Sequence, residues 1–130
     1  MARTDPVELR IPPKGVAIAE SVHAPGFRTR LRAEPYHKIL VQQRGRAELA
    51  IGRRRLQLAA GTVACLEAGR GHEVVDRVPG VLVVIGLDPT LVQPWDAAWR
   101  ACLRPPARRL GPAAAGRVLG CIRDLLAERH

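Results

Sequence analysis

Across residues 36–87 the chain breaks into short apolar-rich runs separated by Gly or Arg-Gly at nearly even spacing. Several short strands with regular turn signals predict an all-β sandwich or barrel, not helices or a parallel sheet. Residues 46–51 alternate: Ala47, Leu49 and Ile51 point one way, Arg46 and Glu48 the other. Gly52-Arg53 predicts a tight hairpin back into residues 55–58, with Leu56 and Leu58 inward. Gly45 and Ala60-Gly61 read as turns, residues 62–66 as a buried strand, and residues 72–78 and 80–87 as a final pair joined at Pro79-Gly80. With residues 15–22, 26–32 and 37–43, this makes about eight strands. Over 37–43, alternation puts His37, Ile39 and Val41 on one face and Lys38, Leu40 and Gln42 on the other. It does not say which face is inside.

After Pro89 the period changes. Leu91, Val92, Trp95, Trp99 and Leu103 fall at helical spacing, and Pro94 fits a helix's first turn. A proline-bearing hinge, 104–112, leads to a second helix. Its apolar positions Ala115, Val118, Leu119, Ile122, Leu125 and Leu126 form one stripe. The expected organisation is an arm over 1–14, a barrel over 15–88 and a helix-hinge-helix segment over 89–130. The last helix must bury its stripe on its own barrel or on a second copy. The second case makes Val118, Leu119, Ile122, Leu125 and Leu126 the dimerisation residues of a homodimer. Trp95 and Trp99 either pack their helix onto the barrel or add to that contact.

Composition narrows the class. The 130 residues fit one domain, and 47% hydrophobic with 3% aromatic means an aliphatic core. No apolar run approaches the roughly 18 residues that a membrane span needs. The first 15 residues lack the apolar stretch of a secretory signal, so the expected location is the cytoplasm. Cys65, Cys102 and Cys121 are widely spaced with no CxxC, which argues against structural zinc and for free thiols. The net charge of +9 is carried by scattered arginines without aromatic stacking platforms, and reads as solvated surface rather than a nucleic-acid groove.

Residues 37–75 bear a resemblance to a known family. A strand with a polar start leads to the Arg44-Gly45-Arg46 turn and a short hairpin at Gly52-Arg53-Arg54. A Gly-initiated strand (Gly61-Thr62-Val63) and a loop ending in His (Gly69-Arg70-Gly71-His72) follow. This run resembles a cupin, the double-stranded β-helix or jelly-roll barrel. More narrowly, it resembles the N-terminal sensor and dimerisation domain of AraC-type transcription regulators. The likeness covers residues 15–88 and extends to the helices behind. It implies a cupin barrel followed by two C-terminal α-helices, a small-molecule ligand, a homodimer, and DNA contact only through a domain absent from this chain. The chain is then either a stand-alone cupin or a sensor fragment of a longer regulator.

The resemblance also frames the site. Many cupins hold a divalent metal with an H-x-H pair, a following Glu and a later His. Here Arg32 and Glu34 stand at the H-x-H positions, Lys38 at the Glu position, and only His72 keeps its identity. Two cations oppose a metal, so none is expected as a cofactor. An alternative register would recruit His23, His37 and His72 as three imidazole ligands. The expected ligand pocket comprises Arg32, Glu34, His37, Lys38, Ile39, Val41 and His72. If Arg32 and Lys38 face inward, the pocket favours an anion. No catalytic residues are assigned: there is no nucleophile elbow, and Cys65 lies in apolar surroundings that leave a thiol inert. The alternative function is a metal-dependent cupin oxygenase or isomerase.

Overall fold

The structure, a computed structural model, describes residues 3–4, 11–13, 15–23, 28–29 and 33–128. Two long antiparallel strands form its spine: β4 (His37–Ile51) and β7 (His72–Leu87). Six shorter strands complete one hydrogen-bonded sheet: β1 (Arg3–Thr4), β2 (Val16–His23), β3 (Arg28–Thr29), β5 (Arg54–Ala59), β6 (Thr62–Leu66) and β8 (Ala107–Arg109). β6 pairs with the first half of β4 and β5 with the second half. Likewise β2 pairs with the second half of β7, and β3 meets the first half at Val75. Each long strand thus serves two half-sheets, which enclose a core of Leu40, Ala47, Leu49, Leu58, Ala64, Leu66, Val74 and Leu82.

This corrects two expected turns. Neither Gly45 nor Pro79-Gly80 reverses the chain; each lies inside a long strand. The β4–β7 register shifts between Gln42 and Ala47, and the strands bend there. The bend needs both glycines. A Cβ on Gly80 would stand 2.0 Å from the Arg44 carbonyl oxygen, and one on Gly45 2.5 Å from that of Pro79. The bulge also changes which positions face inward. Before it, Leu40 points to the core; after it, Ala47 and Leu49 do. The hairpin at Gly52-Arg53 and the turn at Ala60-Gly61 stand as expected.

The C-terminal segment differs from expectation in two places. Residues 90–103 are not one helix but α1 (Pro89–Val92), a 3-10 turn (Gln93–Trp95) and α2 (Asp96–Cys102). Pro94 has no N–H to give an α-helical ladder, so the pitch tightens around it. The hinge carries a strand: β8 pairs Ala107 with Ala64 and Arg109 with Thr62. The last helix, α3 (Pro112–Glu128), lays Val118, Leu119 and Ile122 on the outer face of the sheet, against Val41 and Val83. Ile122 is thereby buried on the chain's own barrel, and Val118 and Leu119 are partly buried there. The side chains of Leu125 and Leu126 lie outside the described residues.

Candidate functional site

Sheet alternation divides the expected pocket residues between two places. Lys38 pairs with Leu66, a core residue, so its side chain enters the barrel. His72 pairs with Ile51 and also points inward. Although they sit on opposite halves of the barrel, Lys38 Nζ reaches to 3.4 Å from His72 Nε2. It lies 3.8 Å from Glu34 Oε1 and 5.7 Å from the centre of the Tyr36 ring. Glu34, Tyr36, Lys38 and His72 are all buried. Glu34 is fixed by its backbone, whose carbonyl accepts from Gly69 N–H at 2.7 Å.

The chemistry of this cluster sets its protonation. Lysine has only donors, so His72 Nε2 accepts from the ammonium and Nδ1 keeps its proton, facing the Arg70 carbonyl at 3.5 Å. Burial first, and the Lys38 charge second, push the His72 pKa down to about 4. His72 is neutral at pH 7. The ammonium sits between a carboxylate and an imidazole, the donors that metal-binding barrels of this fold gather around an ion. Glu34 and His72 alone are donor groups suited to a divalent metal, but the Lys38 cation stands between them. The set does not fit a metal. Among the described residues no group of three or more His, Cys, Asp and Glu comes together as a metal cage.

His37 lies elsewhere. It shares the outer face of β4 with Ile39 and Val41. Its Nδ1 accepts from Ala68 N–H at 2.9 Å, and its ring lies 4.6 Å from that of buried Trp99 on α2. Burial lowers its pKa, while Glu67 and Asp96 pull it back up. The structure therefore does not bring His37 together with His72, and the three-imidazole arrangement of His23, His37 and His72 is not formed around these two. The His23 side chain and all of Arg32 lie outside the described residues. Ile39 and Val41 face away from the barrel interior too, and form the floor of a separate cavity beneath α3.

Sequence reasoning missed two contributors. Tyr36 shields the Lys38 ammonium, and nothing in its spacing marks it as inward. Trp99 clamps His37; the pair Trp95 and Trp99 was visible, but not their separation into an exposed ring (65%) and a buried one (7%). Cys65 pairs with Ile39 and so lies on the outer face, away from His72. Burial, and then the neighbouring Cys102 thiol, push its pKa up to about 11, which leaves it inert at neutral pH.

A bent two-sheet barrel with a helix across one outer face and a charged cluster inside is a cupin. The AraC-like ligand binding domain family matches residues 15–130, and the chain belongs to that family. No curated protein matches it in sequence. Among solved structures it is similar to an RmlC-like cupin from Shewanella frigidimarina (14% identity, TM-score 0.54, 56% of this chain and 66% of that one). It is also similar to a cupin superfamily protein from Desulfitobacterium hafniense (15%, 0.56, 62% and 73%). Oxalate decarboxylase from Bacillus subtilis aligns at 14% and 0.53, over 58% of this chain and 22% of the enzyme. The chain spans less than two thirds of the Shewanella protein and about a fifth of the decarboxylase. At these identities the likeness is one of fold. Among the described residues no helix is long and apolar enough to cross a membrane.

Proposed function

We propose that this chain is a non-enzymatic, metal-independent sensing and dimerisation module that binds a small molecule at the Glu34–Lys38–His72 end of the barrel. The observation that carries this reading is the Lys38 ammonium, a cation built into the barrel 3.4 Å from His72 and 3.8 Å from Glu34. The Lys38 ammonium, oriented by the neutral His72 imidazole, can meet the oxygens of a polar or anionic ligand. Ligand contact with Lys38 is passed along β4, whose outer face carries α3, and so biases the helices. With Ile122 buried and Val118 and Leu119 partly buried against the chain's own sheet, an exposed apolar face for a second copy among the described residues is the one around Trp95, beside Leu91 and Val92. Family membership supports the ligand; DNA contact would need a further domain.

The test combines a thermal-shift screen of polar metabolites with elemental analysis of natively purified protein. A ligand at a hundredfold excess over its Kd stabilises by roughly 2.7 kcal/mol. The expected result is a hit that raises Tm in the parent, fails to do so in both Lys38→Met and His72→Gln, and needs no metal. Stoichiometric metal that is lost in His72→Gln would overturn the reading in favour of a metal-dependent cupin. A ligand whose shift survives both substitutions would place the site elsewhere.

A further inference from the structure

The outer face of the sheet and α3 do not close on each other completely. Between them lies a cavity of about 410 Å³. Ile39, Val41 and Val63 line its floor, and Val118 and Ile122 its roof. It is open to solvent on one side, where Arg108, Arg117 and Cys121 are exposed, and its aliphatic walls give the waters that enter few hydrogen-bond partners. Water fills such a space poorly and hydrocarbon fills it well.

The cavity is not apolar throughout. Arg108 of β8 and Arg117 of α3 both border it, and both are exposed. Neither guanidinium pairs with a carboxylate among the described residues; Arg108 makes only long contacts, at 3.3 and 3.4 Å, to the carbonyls of Pro105 and Ala101. Arg108 pairs with Val63 of the floor, so its side chain leaves β8 on the cavity's side of the sheet. An apolar chamber with few convergent polar groups is the usual form of a small-molecule site. Two arginines at its edge choose the polar group: a carboxylate or similar oxyanion.

We infer that the space beneath α3 binds an amphipathic organic anion, with its hydrocarbon part between β4 and α3 and its acid group at Arg108 and Arg117. This site is separate from the barrel interior. The sheet stands between them, with Lys38 and Leu40 on one side of β4 and Ile39 and Val41 on the other. Because α3 is the roof, an occupant bears directly on that helix.

Decanoate, decanol and decyltrimethylammonium, each below its micelle concentration, serve as probes by calorimetric titration of the full chain. The expected order of affinity is decanoate first, decanol next, the cation last. Changing Arg108→Gln and Arg117→Gln together should weaken decanoate about tenfold or more and leave decanol nearly unchanged. Val118→Phe, which fills the chamber, should abolish binding of both without lowering Tm. Cys102 and Cys121 border the cavity and are exposed, so bound decanoate should also slow their alkylation by N-ethylmaleimide. Equal affinity for all three probes, indifference to the arginine pair, or unslowed alkylation would overturn the inference. So would loss of decanoate binding in Lys38→Met with retention in Val118→Phe, which would move the ligand into the barrel. A metal found at His72 would overturn the proposed function and leave these outcomes unaffected.

Discussion

Protonating His72 would set a second positive charge 3.4 Å from the Lys38 ammonium, inside the barrel. Burial of the ring is the larger cost and this repulsion the second; together they lower its pKa from 6.5 to about 4. The consequence for stability follows from linkage. The unfolded chain takes up this proton near pH 6.5, the folded one only near pH 4, so the unfolded state binds more protons between those values. Stability from this group is complete above about pH 6.5, declines as pH falls toward 4, and levels off below. The loss is on the order of 3 kcal/mol for a shift of this size. His37, whose pKa is also lowered by burial, adds a smaller decline of the same sign. The denaturation midpoint, measured from pH 7.5 to 4, should therefore drop steeply in the parent. In His72→Gln, which cannot titrate, the slope should shrink to the His37 share. An unchanged slope in that variant would show that the Lys38–His72 contact does not govern the titration.

At the scale of elements, the two long strands depend on two glycines. A methyl group on Gly80 would meet the Arg44 carbonyl at 2.0 Å, backbone against backbone, with no side-chain rotamer to relieve it. Gly80→Ala should cost about 3 kcal/mol or more. Gly52 is the control. It also has positive φ, 57°, but nothing lies within 4 Å of an added Cβ. Gly52→Asn, a residue tolerated in such turns, should change stability by about 1 kcal/mol or less. Urea melts of the two variants separate close approach from backbone strain. The same residues show where the sequence is readable and where it is not. The hairpin and the inward set of Ala47, Leu49, Leu56 and Leu58 follow from alternation, because one side of that hairpin is wet. Gly45 and Pro79-Gly80 look like turns because Gly and Pro-Gly are turn signals locally; only their contact across the sheet makes them a bend. The inner face of residues 37–42 was illegible because both faces are covered, one by the core and one by α3. A cation at position 38 was legible, since residue type alone carries it; that its side chain enters the barrel was not. β8 was not, since three residues amid Arg and Pro have too little pattern to separate a strand from a hinge.

At the scale of the whole molecule, α3 is helical because it is docked. Gly116 and Gly120 each lower helix stability by about 1 kcal/mol relative to alanine, and an isolated helix of this length is marginal in water. Its anchor is Ile122, 2% exposed and clustered with Val41 and Val83. On the other side of the same sheet lies the main core. The two clusters share β4 but not side chains, so one can be released without opening the other. Ile122→Asp puts a carboxylate against Val41 and Val83 and should remove α3 at a cost of about 3–5 kcal/mol. Amide exchange should then become fast across residues 112–128 and stay slow in the middle of β4 and β7, with a matching loss of helical circular dichroism. That outcome defines α3 as an independently movable element, which a barrel that reports occupancy through its helix requires. If protection in β4 and β7 collapses along with α3, the helix belongs to a single cooperative unit. A ligand then could not shift it without unfolding the barrel, and sensing would have to run through the Trp95 face instead.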